Sequence, residues 1–382
     1  MNITTKDFGA GYTSITITNL NGLQLTVSDL GARITSLKVP TTHGLRELIL
    51  GFDTAKEYLE KDLYIGASIG RVAGRIRNGT FKIDGEIYKV QVDEKTGNTL
   101  HGGTPGFESK KWQYCVVENN DEASVIFHMV SPHGENGFPG NLDIEICYTL
   151  TNTNVWKVET RATSDKDTLF NPTNHVYFNL TGDVAQPVNE HTLWVDSDQF
   201  APLDLESVPI GVKLPVEGTA FDFRKPVKLK ETFSSNFVQK ELVDGIDHPF
   251  FLNRPELSHS SVKLTSPDEV VSIEVATKEP SVVIFTANFG ENKPLMHGKQ
   301  LANHGGITFE TQVCPGAEQF SDFGDLVLRA DSTYQTVTEF HIIFDSLLKY
   351  ETCIEGLDTA ITTHLKYYAV SRNNVELLEV VE

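Results

Sequence analysis

Apolar and polar residues alternate with a period of two along most of this chain. In the first such segment Ile15 and Ile17 alternate with threonines, Asn21-Gly22 offers a two-residue type I′ turn, and the alternation then resumes. A second example surrounds Asp84-Gly85. A strand with one buried face shows this period, and Asn-Gly and Asp-Gly are preferred in tight hairpin turns. The sequence therefore predicts short antiparallel strands joined by turns.

The alternation continues as far as Phe344, without a composition shift or a linker that would mark a domain boundary. The favoured architecture is all-β, with residues 1–345 forming one large antiparallel β-sandwich. Length and strand number alone would also allow two stacked β-domains, because a chain of 382 residues exceeds the usual length of one domain.

The C-terminal residues 346–382 follow a different pattern. Between Leu347 and Leu365 the apolar residues are spaced by three or four positions, at Ile354, Leu357, Ile361 and Leu365. This is the spacing of one face of a helix. We expect a short C-terminal helical extension that packs on or flanks the domain. A final strand or a free tail with the sequence VELLEVVE would follow it.

The composition supports a globular β-protein and narrows the range of partners. The chain contains 22 Phe and 11 Tyr against 3 Met, and aromatic residues favour strands. Its formal net charge is -20, from 52 acidic and 32 basic residues. Such a protein repels a nucleic acid backbone unless a local basic stripe intervenes, and we find no such stripe. We therefore expect no nucleic acid partner.

The cysteines and the N-terminal segment indicate a cytoplasmic protein. Cys115, Cys147, Cys314 and Cys353 lie far apart without a C-x-x-C pair, which argues against a zinc site or a disulfide framework. The first residues lack a basic stretch followed by an apolar one. No segment reaches the roughly 18 apolar residues of a membrane span, so we expect no membrane association.

The motifs of the common nucleotide-binding and hydrolytic sites are missing from the sequence. No G-x-G-x-x-G, P-loop, H-E-x-x-H or G-x-S-x-G pattern occurs. Candidate chemistry must therefore be sought in scattered polar residues. Five stretches interrupt the strand pattern with ionisable groups: GRVAGRIRNG, NTLHGG, NPTNHVYFNL, DGIDHPF and HGGITFETQ.

The stretch NPTNHVYFNL places His175 between two asparagines and two aromatic residues. Aromatic rings can stack on the C–H faces of a sugar, while amides and imidazole reach its hydroxyls, and imidazole moves a proton near neutral pH. A core histidine satisfied by a neighbour explains the same residues equally well. Taken alone, the stretch leaves both interpretations open.

Two of the other stretches carry cationic or imidazole groups next to glycines. In GRVAGRIRNG the guanidinium groups of Arg71, Arg75 and Arg77 could hold paired hydroxyls or a carboxylate, or could be surface arginines of an acidic protein. In NTLHGG, His101 precedes two glycines, which allow backbone or ligand to approach closely. By itself a histidine before two glycines is a weak signal.

The last two stretches carry carboxylates. Asp247 in DGIDHPF could bind hydroxyls, although an Asx turn is the commoner use of such a sequence. In HGGITFETQ, Ile307 and Phe309 point to one side of a strand, and Thr308 and Glu310 point to the other. Glu310 could therefore face solvent or line a cleft.

In their order along the chain, these stretches resemble the aldose 1-epimerase (galactose mutarotase) family. The run GRVAGRIRNGTFKIDGEIY is followed by NTLHGG, SPHGENGFPG, NPTNHVYFNL, GTAFDFR, GIDHPF and HGGITFETQ. Several motifs in fixed order make this resemblance specific, and it covers most of the chain. It implies the single-domain galactose mutarotase β-sandwich. It also implies an enzyme that interconverts the α and β anomers of free hexoses such as galactose and glucose, with no cofactor.

The resemblance assigns roles that the reaction itself requires. Opening the sugar ring needs a base that removes the proton of the C1 hydroxyl and an acid that protonates the ring oxygen. By resemblance, Glu310 is the general base and His175 is the general acid. His101 matches a second histidine that polarises the sugar, Asp247 matches a carboxylate that holds sugar hydroxyls, and Arg75 matches a binding arginine.

Three further residues are candidates for substrate binding: Asn98, Asn174 and Tyr177. The last two flank the histidine and could position imidazole and sugar. Two residues depart from the family pattern, because many members have Asn where Gly74 stands, and an acidic residue is usual in place of His133. Neither departure affects the proposed acid or base.

Two alternatives to this enzyme are a non-catalytic sugar-binding protein on the same scaffold and an epimerase for a disaccharide or a hexose phosphate. A fold does not fix a function. The presence of both His175 and Glu310 favours the free-sugar enzyme, and basic residues for a phosphate are found only in the arginine segment. We expect a small-molecule aldose as the partner, and a monomer or a homodimer.

Overall fold

The computed structural model describes residues 1–291, 293–344, 366–371 and 374–379. The chain separates into two compact units, Met1–Ser346 and Leu347–Glu382. The described residues are mostly strands, and every ladder between them is antiparallel apart from isolated bridges. The predicted all-β class is therefore confirmed.

The largest sheet has nine strands, and Glu122–Ser131 and the first half of Leu142–Thr151 alternate buried with more exposed residues as the sequence predicts. In spatial order they are Gln113–Glu118, Glu122–Ser131, Leu142–Thr151, Val155–Ser164, Thr333–Phe344, Val271–Thr277, Val262–Thr265, Thr192–Val195 and Val227–Lys228.

Two smaller sheets have five strands each. The N-terminal sheet consists of Asn2–Gly9, Tyr12–Thr18, Gln24–Ser28, Arg33–Thr41 and Gly44–Glu47. The other sheet, which we call the cleft sheet, consists in spatial order of Leu214–Pro215, Ser197–Phe200, Asp247–Leu252, Ser281–Phe285 and Glu310–Gln312.

One hydrophobic core joins these three sheets. It contains Ile15 and Leu25 from the N-terminal sheet, Phe127 from the nine-stranded sheet, and Phe250 and Ile284 from the cleft sheet. Side chains from facing sheets that meet in a common core are the arrangement of a β-sandwich, and the apolar residues of each alternating strand supply it.

Short two-stranded ladders lie outside these three sheets. They pair Ser68–Ile69 with Thr173–Asn174, Arg75–Ile76 with Thr99–Leu100, Thr80–Ile83 with Glu86–Lys89, Thr168–Leu169 with Val327–Leu328, Tyr177–Phe178 with Ile307–Thr308, and Leu295–Met296 with Lys299–Gln300.

The helices of the described residues are short. The α-helices span Ala55–Lys61, Leu229–Phe233 and Val238–Val243. Single 3₁₀ turns span Arg77–Gly79, Phe107–Ser109, Glu135–Gly137, Val188–Glu190 and Ser321–Phe323. None of the helices in the described part of the chain is long and apolar enough to cross a membrane.

The two predicted hairpin turns differ in outcome. At Asp84-Gly85 both residues have positive φ, 50° and 89°, and Ile83 pairs with Glu86, which confirms a two-residue turn. At Asn21-Gly22 the prediction was wrong, because Thr18 pairs with Gln24 and the loop is longer. There the Asn19 side chain accepts from the N–H groups of Asn21 and Leu23, and so stabilises the wider loop.

The C-terminal unit contains a β-hairpin of Lys366–Ser371 and Asn374–Glu379. Its second strand lies where the sequence allowed a strand or a free tail. The helix predicted between Leu347 and Leu365 lies outside the described residues. The sequence KYYAVS is rich in strand-forming residues and forms the first strand of this hairpin. How the extension packs stays a prediction.

Candidate active site

A cleft of about 190 Å³ lies on the face of the cleft sheet that points away from the core. Three neighbouring strands supply its floor through the period-two alternation of their side chains. The alternating residues Val282 and Ile284 belong to the core. The residues that alternate with these two, and those on the same face of the two neighbouring strands, line the cleft: Asp247, Pro249, Val283, Phe285, Glu310 and Gln312.

His175 reaches this cleft because its segment lies between two short ladders. Its backbone N–H donates to the carbonyl of Ala67 and its carbonyl accepts from the N–H of Gly66, both at 2.9 Å. Next to it, Tyr177 pairs with Thr308, which brings the histidine beside the strand of Glu310. The Nδ1 atom of His175 has no partner among the described residues. The histidine is therefore not a core residue satisfied by its neighbours.

The carboxyl group of Glu310 and the imidazole of His175 form a buried pair. Glu310 Oε1 lies 3.4 Å from His175 Nε2, and the two residues are 3% and 5% exposed. Glu310 Oε1 also accepts from the hydroxyl of Thr308 at 2.9 Å. The alternation of HGGITFETQ predicts this contact, since it places Thr308 and Glu310 on the same side of the strand.

Burial sets the protonation of this pair. It raises the pKa of Glu310 to about 8, against the lowering effects of Thr308 and Arg75. It lowers the pKa of His175 to about 4, although the negative charge of Asp62 opposes this. Removing a charge from water disfavours the charged form of either group. At neutral pH the pair therefore holds one proton, on the carboxyl group, and the imidazole is neutral.

His101 stands beside His175 as a neutral imidazole. Its ring lies 5.2 Å from the His175 ring at an interplanar angle of 87°. Its Nδ1 accepts from the N–H of Gly74 at 3.2 Å, so the proton of the neutral ring resides on Nε2. Burial lowers the pKa of His101 well below its usual value. Tyr64, whose ring centroid is 4.9 Å away, packs against it.

Arg75 and Asp247 lie together in the same cleft. Arg75 Nη1 is 3.7 Å from Asp247 Oδ2 and donates to the carbonyl of Ser207 at 3.3 Å. Burial raises the pKa of Asp247 to about 7, while the positive charge of Arg75 opposes it. Of the other arginines in this segment, Arg71 is buried and donates mainly to backbone carbonyls, and Arg77 pairs with Asp204.

The structure does not bring Asn98 and Asn174 to the cleft. Asn98 Nδ2 donates to Glu206 at 3.1 Å. Asn174 Nδ2 donates to the hydroxyl of Tyr148 at 2.7 Å, in the interior. Adjacent residues of an extended segment point to opposite sides, so a residue next to His175 faces away from the cleft, whereas Tyr177, two positions on, lines it.

The two departures from the family pattern occupy different places. Gly74 lines the cleft with a φ of +76°, and a Cβ at this position would lie 2.7 Å from Pro315 Cγ. Any side chain here would therefore require Pro315 to move. His133 accepts from the N–H of Gly140 at 2.9 Å and is not among the cleft residues.

Sequence reasoning missed several cleft residues. Asp62 follows the helix Ala55–Lys61, and Phe289 comes from a loop, so neither carries a local signal. Tyr64 also lines the cleft without a local sequence signal. Gln312 did have a signal, because it lies two residues after Glu310 and must face the same side of the strand.

These groups can take a proton from one oxygen of a small molecule and give a proton to another. The cleft also offers a carboxylate and a guanidinium that can hold hydroxyls. The fold and the cleft thus define a β-sandwich enzyme that performs acid–base chemistry on a small polyhydroxy molecule.

Comparison with known proteins agrees with this class. Residues 13–341 match the sequence profile of the aldose 1-epimerase family. The chain therefore belongs to the aldose 1-epimerase family, as its motifs predict, and the predicted fold and enzyme class are confirmed.

Individual relatives cover most of the chain. The aldose 1-epimerase of Haemophilus influenzae is 36% identical over 336 residues, which are 87% of this chain and 96% of that protein. Human galactose mutarotase is 37% identical over 297 residues, 77% of this chain and 83% of that protein. The crystal structure of galactose 1-epimerase from Lactobacillus acidophilus NCFM is similar with a TM-score of 0.80 at 28% identity, over 90% of this chain and 99% of that chain.

Proposed function

We propose that this chain is an aldose 1-epimerase that interconverts the α and β anomers of free hexoses such as galactose and glucose. The observation that carries the proposal is the pair of Glu310 and His175, 3.4 Å apart in one cleft and holding one proton between them. Anomer exchange needs one base and one acid at the same time, which is what a pair with a single proton supplies.

The reaction begins with the proton on His175 and a negative charge on Glu310. Glu310 takes the proton of the C1 hydroxyl while His175 gives its proton to the ring oxygen. The C1–ring oxygen bond breaks, and a carbonyl forms at C1. Rotation about C1–C2 then presents the other face of the carbonyl. In the return step, the released hydroxyl oxygen attacks C1 and re-forms the ring bond while His175 takes back its proton, and Glu310 gives its proton to the carbonyl oxygen as the C=O double bond becomes single.

The reactive form of the pair is reached without a change in its number of protons. Transfer of one proton from Glu310 to His175 converts a neutral pair into an ion pair. The negative charge of Asp62 favours the positive imidazolium, and the positive charge of Arg75 favours the negative carboxylate. Both charges therefore favour the form in which Glu310 is the base and His175 is the acid.

The other cleft groups bind and orient the sugar. His101 presents its Nε2–H as a neutral donor to a sugar oxygen beside His175. Arg75 and Asp247 hold hydroxyls, one as a donor and the other as an acceptor. Tyr177 and Phe285 offer aromatic surface to the C–H face of the ring.

The charge of the cleft supports a neutral sugar over a hexose phosphate. Among the described residues that line it, Arg75 is the one Arg or Lys, and it already faces Asp247. The negative charge of Asp62 adds to the unfavourable field for a phosphate. A binding-only role would leave the acid–base pair without a use.

We also propose a cytoplasmic location and either a monomer or a homodimer. The location is supported by Cys115, Cys147 and Cys314, which are free thiols. Such thiols are usual in a reducing compartment.

The proposed activity is tested by polarimetry on freshly dissolved α-galactose, α-glucose and, for comparison, α-glucose 6-phosphate. We expect the protein to accelerate the mutarotation of galactose and glucose well above the buffer rate, and that of glucose 6-phosphate far less. A rate that does not exceed the buffer rate for either free sugar would contradict the proposal, and equal acceleration of the phosphate would contradict the charge argument.

A further inference from the structure

Gln312 is a buried polar residue in the cleft to which the reaction assigns no part. Its side chain is fully buried and lines the cleft two positions after Glu310 on the same strand face. Its Nε2 atom has no hydrogen-bond partner among the described residues. Buried amide groups are rarely left without a partner in folded proteins, so this donor calls for an acceptor.

The orientation of the Gln312 amide is fixed by its neighbour. Asn171 Nδ2 donates to Gln312 Oε1 at 3.3 Å. The Asn171 amide is itself held on both sides by Val313, whose N–H donates to Oδ1 at 3.0 Å and whose carbonyl accepts from Nδ2 at 2.9 Å. Asn171 can therefore present only its NH₂ to Gln312. Gln312 must turn its oxygen toward Asn171 and keep its own NH₂ free.

The register of the cleft sheet locates this donor relative to the other groups. Ser281 pairs with Gln312, Val283 pairs with Glu310, and Phe285 pairs with Asp247. Along the strand direction, Gln312 and Asp247 thus lie on opposite sides of the row that holds Glu310. Two residues along a strand correspond to about 7 Å, which is within the reach of one sugar and its substituents.

We propose that Gln312 is a substrate-binding residue whose Nε2–H donates a hydrogen bond to an oxygen of the aldose, on the side of Glu310 away from Asp247. This inference rests on the proposed function. It makes Gln312 a specificity-determining residue, because a sugar that lacks the accepting oxygen leaves a buried donor unpaired, and sites built to pair with a hydroxyl reject analogues without it.

The test compares Gln312→Met, which keeps the volume and removes the donor, with Gln335→Met on the exposed surface of the nine-stranded sheet. For Gln312→Met we expect KM for galactose to rise about 3- to 10-fold while kcat changes less than about 2-fold, because the bond forms in both ground and transition states. Gln335→Met should have the KM and kcat of the wild type. In a series of monodeoxygalactoses, Gln312→Met and the wild type should have equal KM values for one analogue, the one that lacks the accepting oxygen.

A direct binding measurement separates this inference from the proposed activity. Saturation-transfer NMR titration of galactose gives Kd for each variant whether or not the enzyme turns over. If wild type and Gln312→Met bind every sugar of the series equally, the inference is overturned even when the protein is an active epimerase.

A measurement on the wild type covers the case in which Gln312→Met does not fold. With ¹⁵N-labelled glutamine, the side-chain NH₂ signals of one glutamine should shift on addition of galactose. Side-chain glutamine signals that all remain in place at saturating galactose would overturn the inference.

Discussion

Replacement of Glu310 by glutamine should make the folded protein more stable at alkaline pH. Burial raises the folded-state pKa of Glu310 to about 8, against an ordinary value of 4.5. The folded state therefore binds this proton more tightly than the unfolded state does. Its stabilising effect is fully present below pH 4.5 and is lost as the pH rises through about 8. Glu310→Gln cannot ionise and has no such loss.

The size of the effect follows from the two pKa values. They differ by about 3.5, and one pKa unit corresponds to about 1.4 kcal/mol, so the ionisation of Glu310 lowers the free energy of unfolding by up to about 5 kcal/mol. Other buried carboxyl groups, such as those of Asp247 and Glu318, also titrate. The negative charge of Glu310 helps to raise the pKa of Asp247, so the difference between wild type and variant reports the ionisation of Glu310 together with its effect on Asp247.

The assay is urea unfolding at about pH 5 and at about pH 9, with Glu118→Gln on the exposed edge strand as a control. Wild type and control should lose several kcal/mol more than Glu310→Gln between these two pH values. If all three proteins lose stability in parallel, burial does not hold the carboxyl group of Glu310 in its protonated form, and the reasoning on the proton of the pair is refuted.

Three further predictions concern the same cleft. The rate of anomer exchange should follow a bell-shaped pH profile with limbs near pH 4 and pH 8, because the pair of His175 and Glu310 must hold one proton; a flat polarimetric profile from about pH 5 to about pH 9 would contradict this. Asp62→Asn removes a negative charge beside His175 and should move the acidic limb to lower pH with a lower kcat, whereas an unchanged acidic limb would show that Asp62 does not act on His175. Gly74→Ala should destabilise the fold by about 1–3 kcal/mol in thermal unfolding, because its Cβ would meet Pro315 and its φ is positive; an unchanged Tm would count against the observed packing.

The sequence could predict the strands because an alternating pattern has one physical cause, a sheet with one buried face. It could also predict which residues meet in the cleft, since ordered motifs identified Glu310, His175, His101, Asp247 and Arg75, and all five line it. Their chemical roles stay predictions. The wider loop at Asn21-Gly22 was missed because the Asn19 side chain competes for the turn, which the dipeptide alone does not reveal.

Other parts of the site depend on contacts between distant segments. Asp62 enters the cleft from the end of a helix, and nothing in its neighbouring residues indicates this. Asn98 and Asn174 were candidates for substrate binding, Asn174 because it stands next to His175, but the amides of both face other residues. Adjacent residues of an extended segment point to opposite sides. The residue two positions from a known cleft residue is therefore the better candidate for the cleft. Gln312 and Tyr177 both follow that rule.

The central claim, that Glu310 and His175 are the acid–base pair of anomer exchange, is tested most directly by polarimetry of α-galactose with Glu310→Gln. Glu279→Gln, a buried carboxyl group outside the cleft, is the matched control. We predict that Glu310→Gln loses about 10²- to 10⁴-fold in kcat while Glu279→Gln keeps the wild-type rate. Wild-type mutarotation by folded Glu310→Gln would contradict the account.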